Sequence, residues 1–85
     1  KWAKNTWKEL REIISFYHVA KLGNISDVAR KLKITQPAVT GHIKRLEAEF
    51  GVILFNRKKR PLKLTTEGKA FFSRISPIEG LFDIK

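Results

Sequence analysis

The sequence of 85 residues contains no cysteine and no methionine, and only 8 of its residues are acidic. Without cysteine, the chain can form neither disulfides nor thiolate zinc sites, and it has no cysteine nucleophile. No stretch approaches the ~18 consecutive apolar residues of a membrane span, and the N-terminus lacks the apolar core of a signal peptide. We therefore expect a cytoplasmic domain without membrane contact. The missing methionine predicts a chain that was processed or cut from a longer polypeptide.

Basic residues dominate the charge of the chain. Lysine and arginine number 18, which gives a formal net charge of +10, and 42% of the residues are hydrophobic. These values predict one small folded domain with an acidic partner. A nucleic acid is the favoured partner, because each phosphate neutralised by a basic side chain releases condensed counterions. Solubility alone is the alternative explanation, but the basic residues cluster along the chain.

The first half of the sequence shows the periodicity of two helices. Apolar residues recur at three- and four-residue spacing over 7–22, and Gly23 with Asn24 ends this helix. Ser26 is predicted to cap a second helix. The buried face of that helix is predicted to consist of Ile25, Val28, Ala29 and Leu32.

A third helix, predicted over about 36–50, has the clearest boundaries in the chain. Thr35 or Gln36 supplies a capping side chain, Pro37 lies in the first turn, and Gly51 ends the helix. Its inward face is predicted to consist of Val39, Ile43, Leu46 and Phe50.

The remaining sequence predicts a hairpin followed by the start of a fourth helix. Two short strands, 52–55 and 62–64, flank a basic turn, and the fourth helix begins at 65–67 and is kinked or ended by Pro77. The predicted fold class is therefore mainly α: a winged helix-turn-helix with a three-helix core, a two-stranded wing and the start of a fourth linker helix. We divide it into a domain over 1–65 and a linker or dimerisation helix with a C-terminal tail over 66–85.

Two short helices joined by a tight turn place the second helix in the major groove of DNA. On this geometry, bases would be read by Gln36, Thr40 and His42. Phosphates would be held by Lys44 and Arg45. The alternative is that these are solvated residues of an amphipathic helix.

The predicted wing, 56–63, carries a basic run without acidic residues. The run consists of Arg57, Lys58, Lys59, Arg60 and Lys63. Such a loop can contact flanking phosphates or insert arginine into the minor groove. The alternative is an ordinary solvated charge run.

An ordered series of residues resembles the N-terminal DNA-binding domain of LysR-type regulators. The series comprises Gly23 to Ala29, Leu32, Thr35 to Thr40, Ile43 to Glu47, Gly51, Leu54, Phe55, Arg57, Arg60, Leu64, Thr65 and Gly68. The resemblance implies operator recognition by the third helix and homodimerisation through the fourth, on an inverted-repeat operator. It implies no cofactor in this domain and a small-molecule effector only in a further C-terminal domain. By position, the implied DNA contacts are Ser26, Thr35, Gln36, Pro37, Ala38, Thr40, Lys44, Arg57 and Arg60.

Two positions depart from the family pattern. Gly41 and His42 stand where these regulators usually have a longer basic or polar residue followed by glutamine, so the base preference is not simply inherited. Gly41 either lets the backbone approach DNA closely or is a tolerated small residue. His42 is either a partly packed histidine or a base reader.

Other functions receive little support from the sequence. No catalytic residues are predicted, because His18 and His42 lie on different helices and no carboxylate pair or metal-ligand spacing accompanies them. His18 is expected on a helix surface. A protein-interaction module, the main rival, would expose an apolar patch where we predict a basic one. RNA binding is a weaker rival, since exposed aromatic pairs are missing. Because the fourth helix looks short, we expect a monomer or weak dimer that pairs on DNA.

Overall fold

The computed structural model describes the backbone of residues 2–75 and the side chains of residues 10–75. Over these described residues, four helices and one antiparallel hairpin follow each other in the predicted order, which confirms the mainly helical fold class. The elements are α1 (Trp2–Leu22), α2 (Ile25–Leu32), α3 (Gln36–Phe50), β1 (Phe55–Asn56), β2 (Lys63–Leu64) and α4 (Thr66–Ile75). The helix end predicted at Pro77 lies outside the described residues.

At the corner between α1 and α2, the N-cap residue of α2 differs from the predicted one. Asn24, not Ser26, caps α2: its side chain accepts a hydrogen bond of 3.0 Å from the N–H of Asp27. The Ser26 cap was wrong because this residue already lies inside the first turn of α2. Gly23 turns the chain with a φ of 70°, and its carbonyl accepts a 2.9 Å hydrogen bond from the N–H of Leu62. The base of the hairpin is thereby attached to this corner.

The predicted boundaries of α3 are confirmed. The hydroxyl of Thr35 accepts a 3.2 Å hydrogen bond from the N–H of Ala38, and Pro37 lies in the first turn. Gly51 ends the helix in the left-handed conformation, with a φ of 68°. The short turn before α3 passes through Lys33, which also adopts a left-handed conformation.

The core lies between the helices and the base of the hairpin. Its buried apolar residues are Phe16, Tyr17, Val19, Val28, Ala29, Val39, Ile43, Leu46, Leu54, Phe55 and Ile75. Two predictions about burial were wrong. Phe50 is 52% exposed, because it ends α3 and packs only on one side, against the ring of Phe71. His18 is buried, because α1 contacts α2, α3 and α4 and so has more than one covered face.

The hairpin is shorter than predicted. Phe55 pairs with Leu64 and Asn56 with Lys63, but residues 52–54 and 62 are not in strands. Polar groups before β1 instead bond elsewhere: the carbonyl of Ile53 accepts a hydrogen bond from the hydroxyl of Thr65. This bond ties the segment to the start of α4.

A buried carboxylate connects α3 to the hairpin. Glu47 is 8% exposed, and its Oε2 accepts a 2.8 Å hydrogen bond from the N–H of Leu54. Both Glu47 oxygens also accept hydrogen bonds from the Arg57 guanidinium, at 3.2 and 3.1 Å. This bidentate, charge-assisted arrangement is the strong form of the arginine–carboxylate pair. It fixes where the hairpin leaves the core.

Two polar contacts connect α1 to α3. The fully buried hydroxyl of Ser15 lies 2.6 Å from Nδ1 of His42, and the buried Glu12 accepts a 2.9 Å hydrogen bond from Nε of Arg45. Burial, and then the positive charge of Arg45, lower the pKa of His42 below its ordinary value of 6.5. Neutral imidazole can accept the Ser15 proton at Nδ1, which a protonated ring cannot do.

The pKa of His42 predicts a pH dependence of folding. The folded state resists protonation of His42. The stability that neutral His42 contributes is therefore fully present above about pH 6.5 and is lost as the pH falls below that value. We expect the unfolding free energy to decrease between about pH 7 and 5.5. His42→Gln should show a shallower decrease, because glutamine can bond Ser15 without titrating. Urea unfolding at several pH values measures both, and identical pH profiles would contradict the prediction.

The arginines of the wing should differ in their effects on stability. Arg57→Ala removes the partner of the buried Glu47 carboxylate, so we expect a loss of about 1–3 kcal/mol of unfolding free energy. Arg60→Ala is the matched control, because within residues 10–75 this guanidinium bonds only the turn carbonyls of Arg57 and Lys59. Its effect should stay within about 0.5 kcal/mol. Equal losses of unfolding free energy for the two variants in urea would show that the Arg57–Glu47 pair adds nothing to stability.

A close backbone contact at the start of α4 gives a third expectation. A methyl group added at Gly68 would lie 2.2 Å from the carbonyl oxygen of Leu54, so Gly68→Ala should destabilise the fold by about 1–3 kcal/mol or more. Gly41→Ala is the control, since its nearest neighbour would be Arg45 at 3.9 Å. This change should leave stability equal or raise it by up to ~1 kcal/mol. Thermal unfolding of both variants provides the comparison.

Candidate nucleic-acid interface

The first turns of α3 face an open depression between three elements. The depression has a volume of about 710 Å³ and lies between the start of α2, the start of α3 and the end of the wing turn. Its lining includes Ser26, Gln36, Thr40 and Arg60. Gln36 and Arg60 are exposed, and Ser26 and Thr40 are half-buried. The structure therefore brings together predicted site residues that are up to 34 positions apart, from Ser26 to Arg60.

The neighbouring predicted residues of α3 have different surroundings. Thr35 and Pro37 are exposed, and Ala38 is half-buried, so the first turn has an accessible surface. The hydroxyl of Thr35 already accepts the capping hydrogen bond, and none of the three lines the depression. They border it through the first turn of the helix.

Of the site residues predicted later in α3, some are exposed to solvent and others contact α1. Lys44 is exposed, and Gly41 is half-buried, with the Arg45 side chain 3.9 Å from where a Cβ would lie. His42 and Arg45, in contrast, contact Ser15 and Glu12 of α1 and do not line the depression. For His42, this geometry agrees with the partly packed histidine that was one of the two interpretations.

The basic wing has two sides rather than one surface. Arg60 lines the depression beside α3, and Arg57 and Arg60 both line a smaller cavity of about 180 Å³ against Thr40. We call this the α3 side of the wing. Lys58 and Lys59 instead line a depression of about 680 Å³ beside the start of α4, the α4 side of the wing. Arg57 also lines this second depression.

Sequence reasoning missed the structural roles of two site-region residues. Asn24 lines the depression beside α3 while it caps α2, and Arg57 holds Glu47 with both terminal nitrogens. The capping preference of asparagine was a usable signal for the first residue. For the second, no local pattern pairs an arginine with a carboxylate ten positions earlier.

The described part of the chain has neither a metal-binding cluster nor a membrane-spanning helix. There, no group of three or more histidine or acidic residues is arranged to hold a metal ion. Over the same residues, no helix has the length and apolar character needed to cross a membrane.

Known proteins are similar to this chain in sequence and in fold. The family described as "Bacterial regulatory helix-turn-helix protein, lysR family" matches residues 10–69. The HTH-type transcriptional regulator ClcR of Pseudomonas putida is 44% identical over 63 residues, which are 74% of this chain and 21% of that protein. BsdA of Bacillus subtilis, another HTH-type transcriptional regulator, is 37% identical over 76 residues, 88% of this chain and 26% of that protein. The chain thus spans about a fifth to a quarter of these relatives.

Solved structures of DNA complexes have the same architecture. The DNA-binding domain of BenM in complex with benA site 1 DNA superposes with a TM-score of 0.78 at 34% identity, covering 85% of each chain. The complex of the CbnR DNA-binding domain with DNA gives a TM-score of 0.75 at 37% identity, covering 84% of this chain and 82% of that one. These relatives are regulators rather than enzymes, in agreement with the expectation that the chain has no catalytic role. The chain belongs to the lysR family of bacterial regulatory helix-turn-helix proteins.

Proposed function

We propose that this chain binds double-stranded DNA with sequence preference, as the DNA-binding part of a bacterial transcription regulator. The observation that carries the proposal is the depression beside α3, where Gln36, Thr40 and Arg60 converge from two elements. Complexes of the similar BenM and CbnR domains with DNA support this use of the fold. The net charge of +10 supports a polyanionic ligand.

The exposed first turns of α3 suit the major groove. The amide of Gln36 can donate to and accept from an adenine edge, and the methyl group of Thr40 can contact a thymine methyl group. The positive end of the α3 dipole points in the same direction and favours nearby phosphates. Arg60, on the α3 side of the wing, can reach the adjacent backbone or minor groove. We assign Ser26 and Lys44 to contacts with backbone phosphates rather than with bases.

We further propose that the whole protein acts as a homodimer on an inverted-repeat operator. An apolar depression of about 420 Å³ supports pairing near α4, with Phe50, Val52, Leu54 and Phe71 in its lining. Because the relatives are several times longer, a small-molecule effector would act on a part outside residues 1–85. The cytoplasm, where DNA is accessible, is the proposed location.

Binding measurements with two kinds of duplex test the function. Fluorescence anisotropy would compare a random duplex with a duplex selected from a random pool by this chain, each at two salt concentrations. We expect salt-sensitive binding to both and a clear preference for the selected duplex. Salt-sensitive binding without any preference, or no binding at low salt, would contradict the proposal.

Gln36→Ala should reduce the preference for the selected duplex more than it reduces the affinity for random DNA. Loss of a base contact is expected to weaken binding to the selected duplex by about 1–3 kcal/mol and to leave random binding almost unchanged. Glu49→Ala, exposed near the end of the same helix, is the matched control and should not reduce the preference. Equal losses on both duplexes would show that Gln36 does not read bases.

A further inference from the structure

The guanidinium of Arg45 is bonded at one edge and exposed at the other. Its Nε donates a 2.9 Å hydrogen bond to Oε2 of Glu12, a buried carboxylate of α1. The Arg45 side chain is nevertheless 63% exposed. Within residues 10–75, its two terminal nitrogens form no hydrogen bond with the protein. They therefore present a fork of N–H donors to a ligand.

This fork lies beside the exposed surface of α3. The terminal nitrogen Nη2 of Arg45 is 3.9 Å from the place where a Cβ of Gly41 would lie. Side chains of a helix extend toward its N-terminus, so the guanidinium reaches back by one turn, from residue 45 to residue 41. Gly41 itself follows the exposed Pro37 by one turn on the same face. Because Gly41 has no side chain, this position leaves the fork accessible beside the turns that are proposed to read DNA.

Two contacts, one turn apart on each helix, fix α1 against α3 at this place. Ser15 and His42 meet at 2.6 Å, and Glu12 and Arg45 meet at 2.9 Å. Glu12 is buried, so its carboxylate needs the arginine as a partner and offers it one fixed position. An ion pair between two fully exposed side chains would not hold the guanidinium in this way.

The charge of Glu12 determines which acceptor suits the fork. A carboxylate 2.9 Å from Nε offsets the positive charge of the guanidinium and would repel a phosphate that approached the terminal nitrogens. A guanine edge carries no net charge, yet it offers two acceptors, O6 and N7, that match a bidentate arginine in the major groove. The paired Arg45 is therefore better suited to a guanine than to a phosphate.

We propose that Arg45 reads a guanine in the major groove and that Glu12 is the positioning residue that aims its guanidinium. This inference rests on the proposed function and adds a base contact to those of Gln36 and Thr40. It assigns Arg45 to a base instead of the phosphate expected from the sequence. The same pair limits binding to random DNA, because Glu12 neutralises a cation that would otherwise attract any phosphate.

Arg45→Lys tests the base contact. Lysine keeps a positive partner for Glu12, but its single nitrogen cannot bond the carboxylate and also form the fork. We expect the affinity for the selected duplex to fall on the order of tenfold, and the affinity for the random duplex to stay within about twofold. Equal losses on both duplexes would indicate a phosphate contact and overturn the inference.

Arg30→Lys is the matched control for this substitution. Arg30 also pairs with a carboxylate, that of Asp27, but both residues lie in α2. The control should change neither affinity. A loss of preference as large as that of Arg45→Lys would show that the substitution of arginine by lysine, and not the position, causes the effect, and would overturn the inference.

Modified bases locate the contact on the DNA. Each guanine of the selected duplex is replaced in turn by 7-deazaguanine, which lacks the N7 acceptor. One replacement should weaken binding of the unaltered chain several-fold, and the same replacement should cost Arg45→Lys little more, because the contact is already lost. Equal sensitivity of the two proteins at every guanine, or a selected duplex without guanine, would overturn the inference.

Glu12→Gln separates aiming of the guanidinium from support of the fold. Glutamine keeps an oxygen that can accept from Nε but removes the charge, so the positive charge of Arg45 is no longer offset. We expect the affinity for random DNA to rise, the slope of log affinity against log salt to steepen by up to about 0.9, and the preference for the selected duplex to fall several-fold. A purely structural role would lower both affinities together.

Glu49→Gln is the control for the change of charge. This exposed acid near the end of α3 loses the same charge, and its removal should not reduce the preference. If Glu12→Gln behaved like Glu49→Gln, or lowered both affinities together, the positioning role of Glu12 would be overturned. The measurements on Arg45→Lys and on the modified bases do not depend on whether Glu12→Gln folds.

These outcomes also separate the inference from the proposed function. If Arg45→Lys prefers the selected duplex as strongly as the unaltered chain does, the inference fails and the proposed function stands. If the unaltered chain has no preference, both fail.

Discussion

The Glu47 carboxylate holds together the two elements from which the DNA-facing surface is built. It is buried at the end of α3, yet both of its oxygens are used: one accepts hydrogen bonds from Leu54 and Arg57, and the other from Arg57 alone. Taking a carboxylate out of water is costly unless such partners are present. The orientation of the wing relative to α3 is therefore linked to the satisfaction of this one group.

This arrangement gives the wing arginines different tasks. Arg57 has its terminal nitrogens directed at Glu47, so it supports the wing from inside while part of its side chain stays accessible. Among the described residues, Arg60 bonds only carbonyls of the turn, and it lies on the α3 side of the wing. A contact pattern carried over by sequence position treats the two arginines alike, whereas in the structure Arg57 is paired with the buried Glu47 and Arg60 bonds carbonyls of its own turn.

Local sequence signals predicted most of the fold because they act over a few residues. Thr35, Pro37 and Gly51 mark the ends of α3 through capping and backbone preferences that need no tertiary context. The errors arose where distant parts of the chain decide. His18 is buried because three helices surround α1, and the strands are short because the segment before β1 bonds to Glu47 and Thr65. The division of the wing into two sides likewise depends on where α4 packs.

The contact at Gly68 has a mechanical consequence. With no side chain between them, the backbone of α4 rests directly on the carbonyl of Leu54. The N–H of the same Leu54 bonds Glu47 of α3. A push or twist applied to α4 would therefore act, through the single residue Leu54, on the root of the wing and on the end of α3. The first turn of α4 is thus mechanically coupled to the half of the domain that contains α3 and the wing.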